Sequence, residues 1–451
     1  MNLRFYLALY AAKAAAWTIN IIAKGRGTNL PGQVALKIDP NFIRHIKGLD
    51  PSKTIFVTGT NGKSTTTNLI AHVLKKSGFK LAVNLEGANL IGGVIVSLLK
   101  NCTLGGKLNA DIVLMETDER FLPIIHSQLP AANLCVTNVQ KDQVQRNGEP
   151  EIIWRKIASV IDERMKVFVN GDEPNALSLG TDAGKVIKYG VDKNSASFDK
   201  QDDFFSVTMP CPICHEPIQF EAYNIDNIGP FKCSGCGFGS GENDYQASNI
   251  DFKRQTFDVD GFTYSFKYST PYFLYCYLVA LAVARELGVE AADINEAFLD
   301  FALQGGRMES IYAHGKEIKY LRMKQENPET VQSALNVIAD DPKEKVFLLG
   351  LDELVDFDPH YTNTFYTFDC DFRRLIDSNV SKCICFSGTV AYDAGLRMLY
   401  DGFDKDKLVI LPTNDDEAIF DELAKCQCDN VYLITWLHKF ESLAEYAKAM
   451  N

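Results

Sequence analysis

No long uncharged apolar run occurs anywhere in the 451 residues, so the sequence predicts no membrane-spanning helix. The most apolar stretch, Leu3 to Ala23, is broken by Arg4 and Lys13. It also lacks a small-residue cleavage site behind an apolar core, which argues against a secretion signal. The stretch reads as an amphipathic first helix, either packed on the body or in peripheral contact with a membrane surface. Positive charge is scarce as well. The 46 Lys and Arg against 58 Asp and Glu leave a net charge of −12, whereas a nucleic-acid interface needs clustered cations. No nucleic-acid partner is therefore expected. Internal repeats and low-complexity tracts are also missing, which sets aside solenoids and disordered arrays. The 12 cysteines, with no secretion signal before them, fit a reducing, cytoplasmic compartment where thiols are packed, metal-bound or reactive.

What is present is a long alternation of elements. The length calls for two or three domains. Thr54 to Thr58, Ile112 to Met115, Asn133 to Thr137 and Lys166 to Val169 read as short apolar strands with helical stretches between them. That pattern predicts a parallel sheet covered on both faces, within a central domain over residues 41–304 that follows an N-terminal helix and opening segment over 1–40. Between about 195 and 267 the pattern breaks. Four cysteines and an alternating run, Thr256 to Tyr268, predict an antiparallel insertion there. Helical periodicity returns at Phe273 to Leu287 and Ala292 to Ala302, and Gly305-Gly306 marks a hinge. A second series follows over 305–451, with strands at Val346 to Leu349, Cys383 to Phe386, Leu408 to Leu411 and Val431 to Thr435. It predicts a separate Rossmann-like α/β domain.

Thr58-Gly59-Thr60-Asn61-Gly62-Lys63-Ser64 closes the first strand and opens a helix. Glycines let backbone N–H groups turn toward a phosphate, and the helix N-terminus favours negative charge there. Lys63 is expected to reach the terminal phosphates with few core contacts, and the Ser64 hydroxyl to ligate Mg²⁺. The plainer reading, a glycine turn that caps a helix, does not account for the Lys-Ser pair in register with strand and helix.

Cys211-Pro-Ile-Cys214 and Cys233-Ser-Gly-Cys236 form two CxxC knuckles. Four thiolates at this spacing suit a closed tetrahedral Zn²⁺ site, structural rather than catalytic. A redox pair and a nucleic-acid ribbon are the alternatives; the second knuckle disfavours the first and the acidic chain the second. His215 adjoins a knuckle and is expected to face solvent.

The glycine loop resembles the signature of the Mur ligases and folylpolyglutamate synthases. Further motifs follow in that superfamily's order: Glu116 after its strand, Thr137-Asn138, Asn170-Gly171-Asp172-Glu173-Pro174, and the arginine hinge Gly306-Arg307-Met308-Glu309. The resemblance implies a Mur-ligase-like α/β central domain with a phosphate-binding loop and a four-cysteine zinc-ribbon insertion, followed by the Rossmann-like domain. It implies ATP and Mg²⁺ as cofactors, with ATP phosphorylating a carboxylate that an amine then attacks. Gly59, Thr60, Asn61, Gly62, Lys63, Ser64, Thr65, Asn138 and Arg307 would contact the nucleotide. Ser64 and Glu116 would hold Mg²⁺, while Lys63 and Arg307 would stabilise transferring phosphoryl charge.

Within the superfamily the chain resembles the MurT family, ligase subunits of lipid II isoglutaminyl synthase. The cysteine ribbon, Arg26-Gly27-Thr28-Asn29-Leu30-Pro31-Gly32, Glu86-Gly87-Ala88-Asn89 and Lys141-Asp142-Gln143 carry this likeness. By it, the amine is ammonia from a GatD-like glutaminase partner, and the acceptor is the D-glutamate α-carboxylate of lipid II or a muropeptide. The expected location is cytoplasmic, at the inner face of the membrane.

Three departures mark a divergent member. Phe273-Leu-Tyr-Cys276 stands where relatives carry an Asn-x-x-Asn that holds the adenine region. Asn363 stands where an aspartate would serve the partner's glutaminase site, leaving Asp356 and Asp358 as the other candidates. Glu329-Thr330 replaces Ala-Gly after Asn327-Pro328. They leave a second reading: a MurT-like paralogue with lost or altered catalysis that acts as a binding scaffold. An amino-acid-adding ligase is disfavoured by Gln143 and the cysteine ribbon.

Overall fold

The computed structural model describes residues 2–22, 29–84, 89–142, 148–199, 209–225, 227–268, 270–302, 308–322, 327–351 and 369–450. They form two compact units. The first comprises Met1–Gln140, Gln145–Asp202 and Ser206–Ala302; the second comprises Leu303–Asn451 with the short stretches Lys141–Val144 and Asp203–Phe205.

In the first unit α1 (Leu3–Ile22) and α2 (Leu30–Ile38) precede β1 (Thr54–Thr58). Then come α3 (Lys63–Lys76), β2 (Leu81–Val83), α4 (Ile91–Lys100), β3 (Ile112–Glu116), α5 (Leu122–Gln128) and β4 (Asn133–Val136). The unit continues with α6 (Pro150–Ala158), β5 (Lys166–Asn170), α7 (Pro174–Ser178) and β6 (Lys185–Val191). A hairpin of β7 (Ile218–Phe220) and β8 (Phe231–Cys233) stands apart, before β9 (Tyr245–Asp251), β10 (Thr256–Val259), β11 (Phe262–Ser265), α8 (Pro271–Glu286) and α9 (Ala291–Asp300).

Nine strands make one sheet in the order β11-β10-β9-β6-β5-β4-β1-β3-β2. From β2 to β9 the neighbours run parallel. A parallel strand inside such a sheet is covered on both faces, and β1 (TIFVT) is buried along its whole length. Helix α8 starts at Pro271, where a missing N–H costs nothing, and is apolar all round. Every residue from Phe273 to Ala284 is buried, and the helix packs against α3 and β6.

The stretch from 195 to 267 divides rather than forming one insertion. Its cysteine-rich part builds the β7–β8 hairpin. Tyr245 to Ser265 instead extends the large sheet: β9 lies parallel to β6, with Tyr245 opposite Tyr189, and β10 and β11 fold back antiparallel. Alternation identifies strands but not their neighbours, so the sequence pattern could not assign β9 to β6.

The second unit holds β12 (Met308–Ala313), β13 (Lys316–Leu321), α10 (Pro328–Asp340), β14 (Lys345–Gly350), β15 (Val380–Phe386) and α11 (Val390–Tyr400). It ends with β16 (Leu408–Leu411), α12 (Asp416–Ala424), β17 (Asn430–Ile434) and α13 (Leu437–Met450). The sheet order is β12-β13-β17-β14-β15-β16, parallel except for the β12–β13 hairpin. That hairpin is an addition to the expected series. His314 and Gly315 turn it with φ of 50° and 73°, both in the left-handed region that a tight two-residue hairpin turn requires. Among the described residues no helix is long and apolar enough to cross a membrane.

Candidate nucleotide and metal sites

Strand β1 lies between β3 and β4, where the strand order reverses, and its C-terminal end is the position where open α/β sheets bind ligands. The loop after it needs both glycines. Gly59 has φ of +124°, and a Cβ there would sit 2.4 Å from Thr137 Oγ1 and 2.7 Å from the Asn138 carbonyl oxygen. Gly62 has φ of +85°, and its Cβ would come within 2.6 Å of the Tyr272 hydroxyl. Left-handed backbone and this close approach together leave no room for another residue.

The Thr137-Asn138 segment shapes the loop. The Asn138 carboxamide accepts from the Asn61 N–H at 2.9 Å and donates to the Asn61 carbonyl at 3.1 Å. The Thr60 N–H donates to the Asn138 carbonyl at 2.9 Å, and the Thr137 hydroxyl to the Asn61 carbonyl at 2.7 Å. Gln140 adds a side-chain bond from Asn61 at 3.1 Å. Both amide atoms of Asn138 are thus engaged with the backbone of Asn61, making it a support for the phosphate loop.

Lys63, Ser64 and Glu116 come together at the ends of β1 and β3. The Lys63 ammonium donates to the Gly59 carbonyl and, at 3.0 Å, to the Thr60 carbonyl. It also pairs with Glu119 Oε2 at 3.0 Å. Ser64 Oγ lies 2.9 Å from Glu116 Oε1, and Asn84 clamps the Glu116 backbone through two bonds of 2.8 Å. Hydroxyl and carboxylate oxygens are the hard donors that Mg²⁺ prefers, so this pair fits the cation. The ammonium and the turned loop likewise fit a phosphate. Sequence reasoning missed Glu119. Its only signal was a further acid, after Asp118, three residues beyond Glu116, and a buried lysine calls for such a partner.

The Asn170–Pro174 turn braces the same region. Glu173 caps α7 by accepting from the N–H groups of Asn175 at 3.1 Å and Ala176 at 2.8 Å. It also accepts from the Val139 N–H at 2.9 Å, which ties the turn to the segment beside Asn138. Asp172 accepts from the Val191 N–H at 2.7 Å and the Tyr275 hydroxyl at 2.9 Å. Burial pushes both carboxyls up to about 7.

A cavity beside the loop is lined by Asn61, Gly62, Asn138, Asn170, Tyr272 and Cys276, among others. Tyr275 also reaches its wall, but its hydroxyl is held by Asp172 and by Asn224, which donates to it at 3.1 Å. Phe273 is buried in α8. The Asn170 amide nitrogen, in contrast, is buried with no hydrogen-bond partner.

The four cysteines converge. Their sulfurs lie within 4.8 Å of one another, with Cys211 and Cys236 3.7 Å apart and Cys214 and Cys233 3.4 Å apart. Tetrahedral Zn²⁺ with bonds of about 2.3 Å sets sulfurs about 3.8 Å apart, so the donor set fits zinc. The two knuckles close alike. A left-handed residue after each, His215 at φ 65° and Gly237 at φ 76°, returns its N–H to the first cysteine's carbonyl, at 2.9 and 3.0 Å. His215 is exposed and outside the sulfur cluster. Within the cluster the Cys236 N–H helps lower the Cys233 thiol to about 7, whereas burial and the neighbouring sulfurs raise Cys211 and Cys214.

Arg307, Asp356, Asp358, Asn363 and Gln143 lie outside the described residues, as do Arg26 to Thr28, Glu86 to Ala88 and Gly306.

Two domain families match the chain: the Mur ligase middle domain over residues 57–220 and the MurT ligase C-terminal domain over residues 325–437. Over these residues the chain carries Mur-ligase-type domains, and it is a ligase. It is similar to the MurT subunit of glutamine-hydrolysing lipid II isoglutaminyl synthase from Staphylococcus aureus strain COL, 29% identical over 398 residues and 88% of each chain. The MurT subunit from Streptococcus pneumoniae is 26% identical over 441 residues, covering 96% of this chain and 95% of the relative. Among solved structures, a pseudomurein peptide ligase type C from Methanothermus fervidus shares the fold with a TM-score of 0.65 at 17% identity, over 95% of this chain and 86% of the other. MurF from Thermotoga maritima in complex with ADP gives a TM-score of 0.57 at 14% identity, over 92% and 85%.

Proposed function

We propose that this chain is the ATP-dependent, amide-forming subunit of a glutamine-hydrolysing ligase that acts on lipid II. In this reading an oxygen of the D-glutamate α-carboxylate attacks the terminal phosphorus of ATP, and ADP leaves. Ammonia from a GatD-like glutaminase then attacks the acyl phosphate, and inorganic phosphate departs with the former carboxylate oxygen. Lys63 and Arg307 stabilise the charge on the moving phosphoryl group, and Ser64 with Glu116 holds Mg²⁺. Bound Mg²⁺ supplies charge neutralisation at the transferring phosphate. The four cysteines hold a structural Zn²⁺. Residues 41–304 serve ATP and 305–451 serve acceptor and partner, with Asp356, Asp358 or Asn363 meeting the glutaminase site. The work takes place at the cytoplasmic face of the membrane.

The observation that carries this reading is the convergence of Lys63, Ser64 and Glu116 on a loop that both glycines and Asn138 hold in shape. The second reading, a binding scaffold, rests on Cys276 in the cavity wall and Phe273 one turn before it, where relatives place amides. Co-expression with a GatD-like glutaminase, followed by incubation with lipid II, Mg-ATP and nitrogen-labelled glutamine, separates the two. Amidation puts the label into the lipid II stem peptide. The scaffold reading leaves lipid II unlabelled while nucleotide still binds.

A further inference from the structure

Helix α1 is apolar on two opposite sides. Phe5, Ala8, Leu9 and Ala12 are buried in the core of the first unit, where the helix packs on α2. On the other side Leu3, Leu7, Tyr10 and Trp17 are 75%, 60%, 50% and 68% exposed. At about 100° per residue their spacings place them on one stripe about 80° wide. Leu104, 65% exposed, stands beside it, and the Tyr10 hydroxyl donates to its carbonyl at 3.3 Å. Single exposed apolar residues are ordinary, but a continuous stripe of them marks a docking face.

Charge identifies what covers this face. Residues 1–38 contain five Lys or Arg and no Asp or Glu, in a chain of net charge −12. The neighbouring stretch 91–110 contains Lys100 and Lys107, again with no acid. The hydrogen bonds of the helix's own cations leave their charge uncancelled. Arg4 donates to the Ile38 carbonyl, and Lys13 to the Leu99 and Cys102 carbonyls at 2.9 and 2.6 Å. Lys37, Lys100 and Lys107 are exposed. Asp39, the next acid along the chain, is buried and paired with His45, so the apolar stripe, which includes Tyr and Trp and is flanked by cations, has the makeup of a helix lying in the plane of an anionic bilayer. Local positive charge on an otherwise acidic chain also orients that face toward such a surface.

We infer that α1 docks the protein on an anionic phospholipid bilayer, with Leu3, Leu7, Tyr10 and Trp17 entering the headgroup boundary. This inference stands apart from the amidation reading, because it concerns a different face and can be tested without turnover. The full chain is sedimented with vesicles of phosphatidylglycerol and phosphatidylcholine, and separately with phosphatidylcholine alone. Binding to the anionic vesicles is expected, weakened at least about tenfold on neutral ones and reduced by raised salt. The exposed-face variant Leu7→Glu/Trp17→Glu is expected to lose binding by at least about tenfold while keeping its helical content and melting temperature. Tyr10→Glu provides a second variant should the first unfold. Equal affinity for both vesicle types, no binding to either, or unchanged binding by a folded variant would overturn the inference. So would a concentration-dependent dimer abolished by the same substitutions, which would make this face a contact between copies.

Discussion

Lys63 Nζ lies 3.0 Å from Glu119 Oε2, with the two side chains only 10% and 5% exposed. The expectation that Lys63 makes few contacts therefore does not hold. Its charge is already committed to a buried carboxylate, and removing it strands Glu119. Lys63→Ala is expected to abolish ATP cleavage and also to lower stability by about 3 kcal/mol, the lower end for breaking a buried pair. Adding Glu119→Ala should recover much of the stability and none of the activity. Urea midpoints and ADP release on the single and double variants check this. A fully stable Lys63→Ala protein would contradict the pairing.

The cysteine cluster is expected to bring close to one zinc per chain through purification without chelator. Replacing Cys211 and Cys214 by Ser should release it, because binding energy in such a knuckle pair is folding energy. The effect should reach the cavity beside the glycine loop. Asn224, in the connection between β7 and β8, donates to the Val191 carbonyl at 2.9 Å and to Tyr275, which holds Asp172. Zinc removal should therefore weaken Mg-ATP binding several-fold. Metal-free protein with unchanged stability and affinity would refute the assignment.

Asp172 sets a pH dependence whose sign follows from burial. Its carboxyl titrates at about 7 in the fold and at about 3.9 in the unfolded chain. Between those values the native state keeps a proton that the unfolded state has lost. Its stabilising contribution is complete below about pH 4, declines as pH rises to about 7, and is flat beyond. Asp172→Asn should make the fall in urea midpoint from pH 5 to pH 8 shallower. Glu173, raised in the same direction, contributes to the slope that remains. A slope unchanged in the variant would show that Asp172 is ionised throughout.

Base choice is expected to be weak. Phosphate contacts are common to every nucleoside triphosphate, whereas α8 carries no Asn or Gln, and the Tyr275 hydroxyl is engaged with Asp172 and Asn224. Losing a well-placed polar pair costs about 1–3 kcal/mol of discrimination. Competition titrations with Mg²⁺ should separate ATP from GTP by less than about tenfold. A strong preference for ATP would instead implicate the unpartnered Asn170 amide, and Asn170→Ala should then remove it.

The phosphate loop and cysteine knuckles were legible in the sequence because their chemistry depends on short spacings: Gly59 to Ser64, and two CxxC pairs. Strands such as Thr54–Thr58 and Lys345–Gly350 were legible because the middle of a buried parallel strand is apolar on both faces. What stayed hidden depends on distant partners. Glu119 acquires meaning only through Lys63, and Asn224 only through Tyr275. The assignment of β9 to the main sheet depends on β6, and the β12–β13 hairpin turns on His314-Gly315 without a usual Asn-Gly or Asp-Gly signal.

In the proposed reaction a carboxylate of lipid II is activated by phosphorylation before nitrogen attacks it. The most direct measurement uses lipid II labelled with heavy oxygen in the D-glutamate α-carboxylate, together with the protein, its glutaminase partner, Mg-ATP and glutamine. One labelled oxygen is expected in each inorganic phosphate released, in step with ADP and amide, and none with Lys63→Ala. Amide formed with unlabelled phosphate, or ATP cleaved without acceptor-dependent labelling, would contradict it.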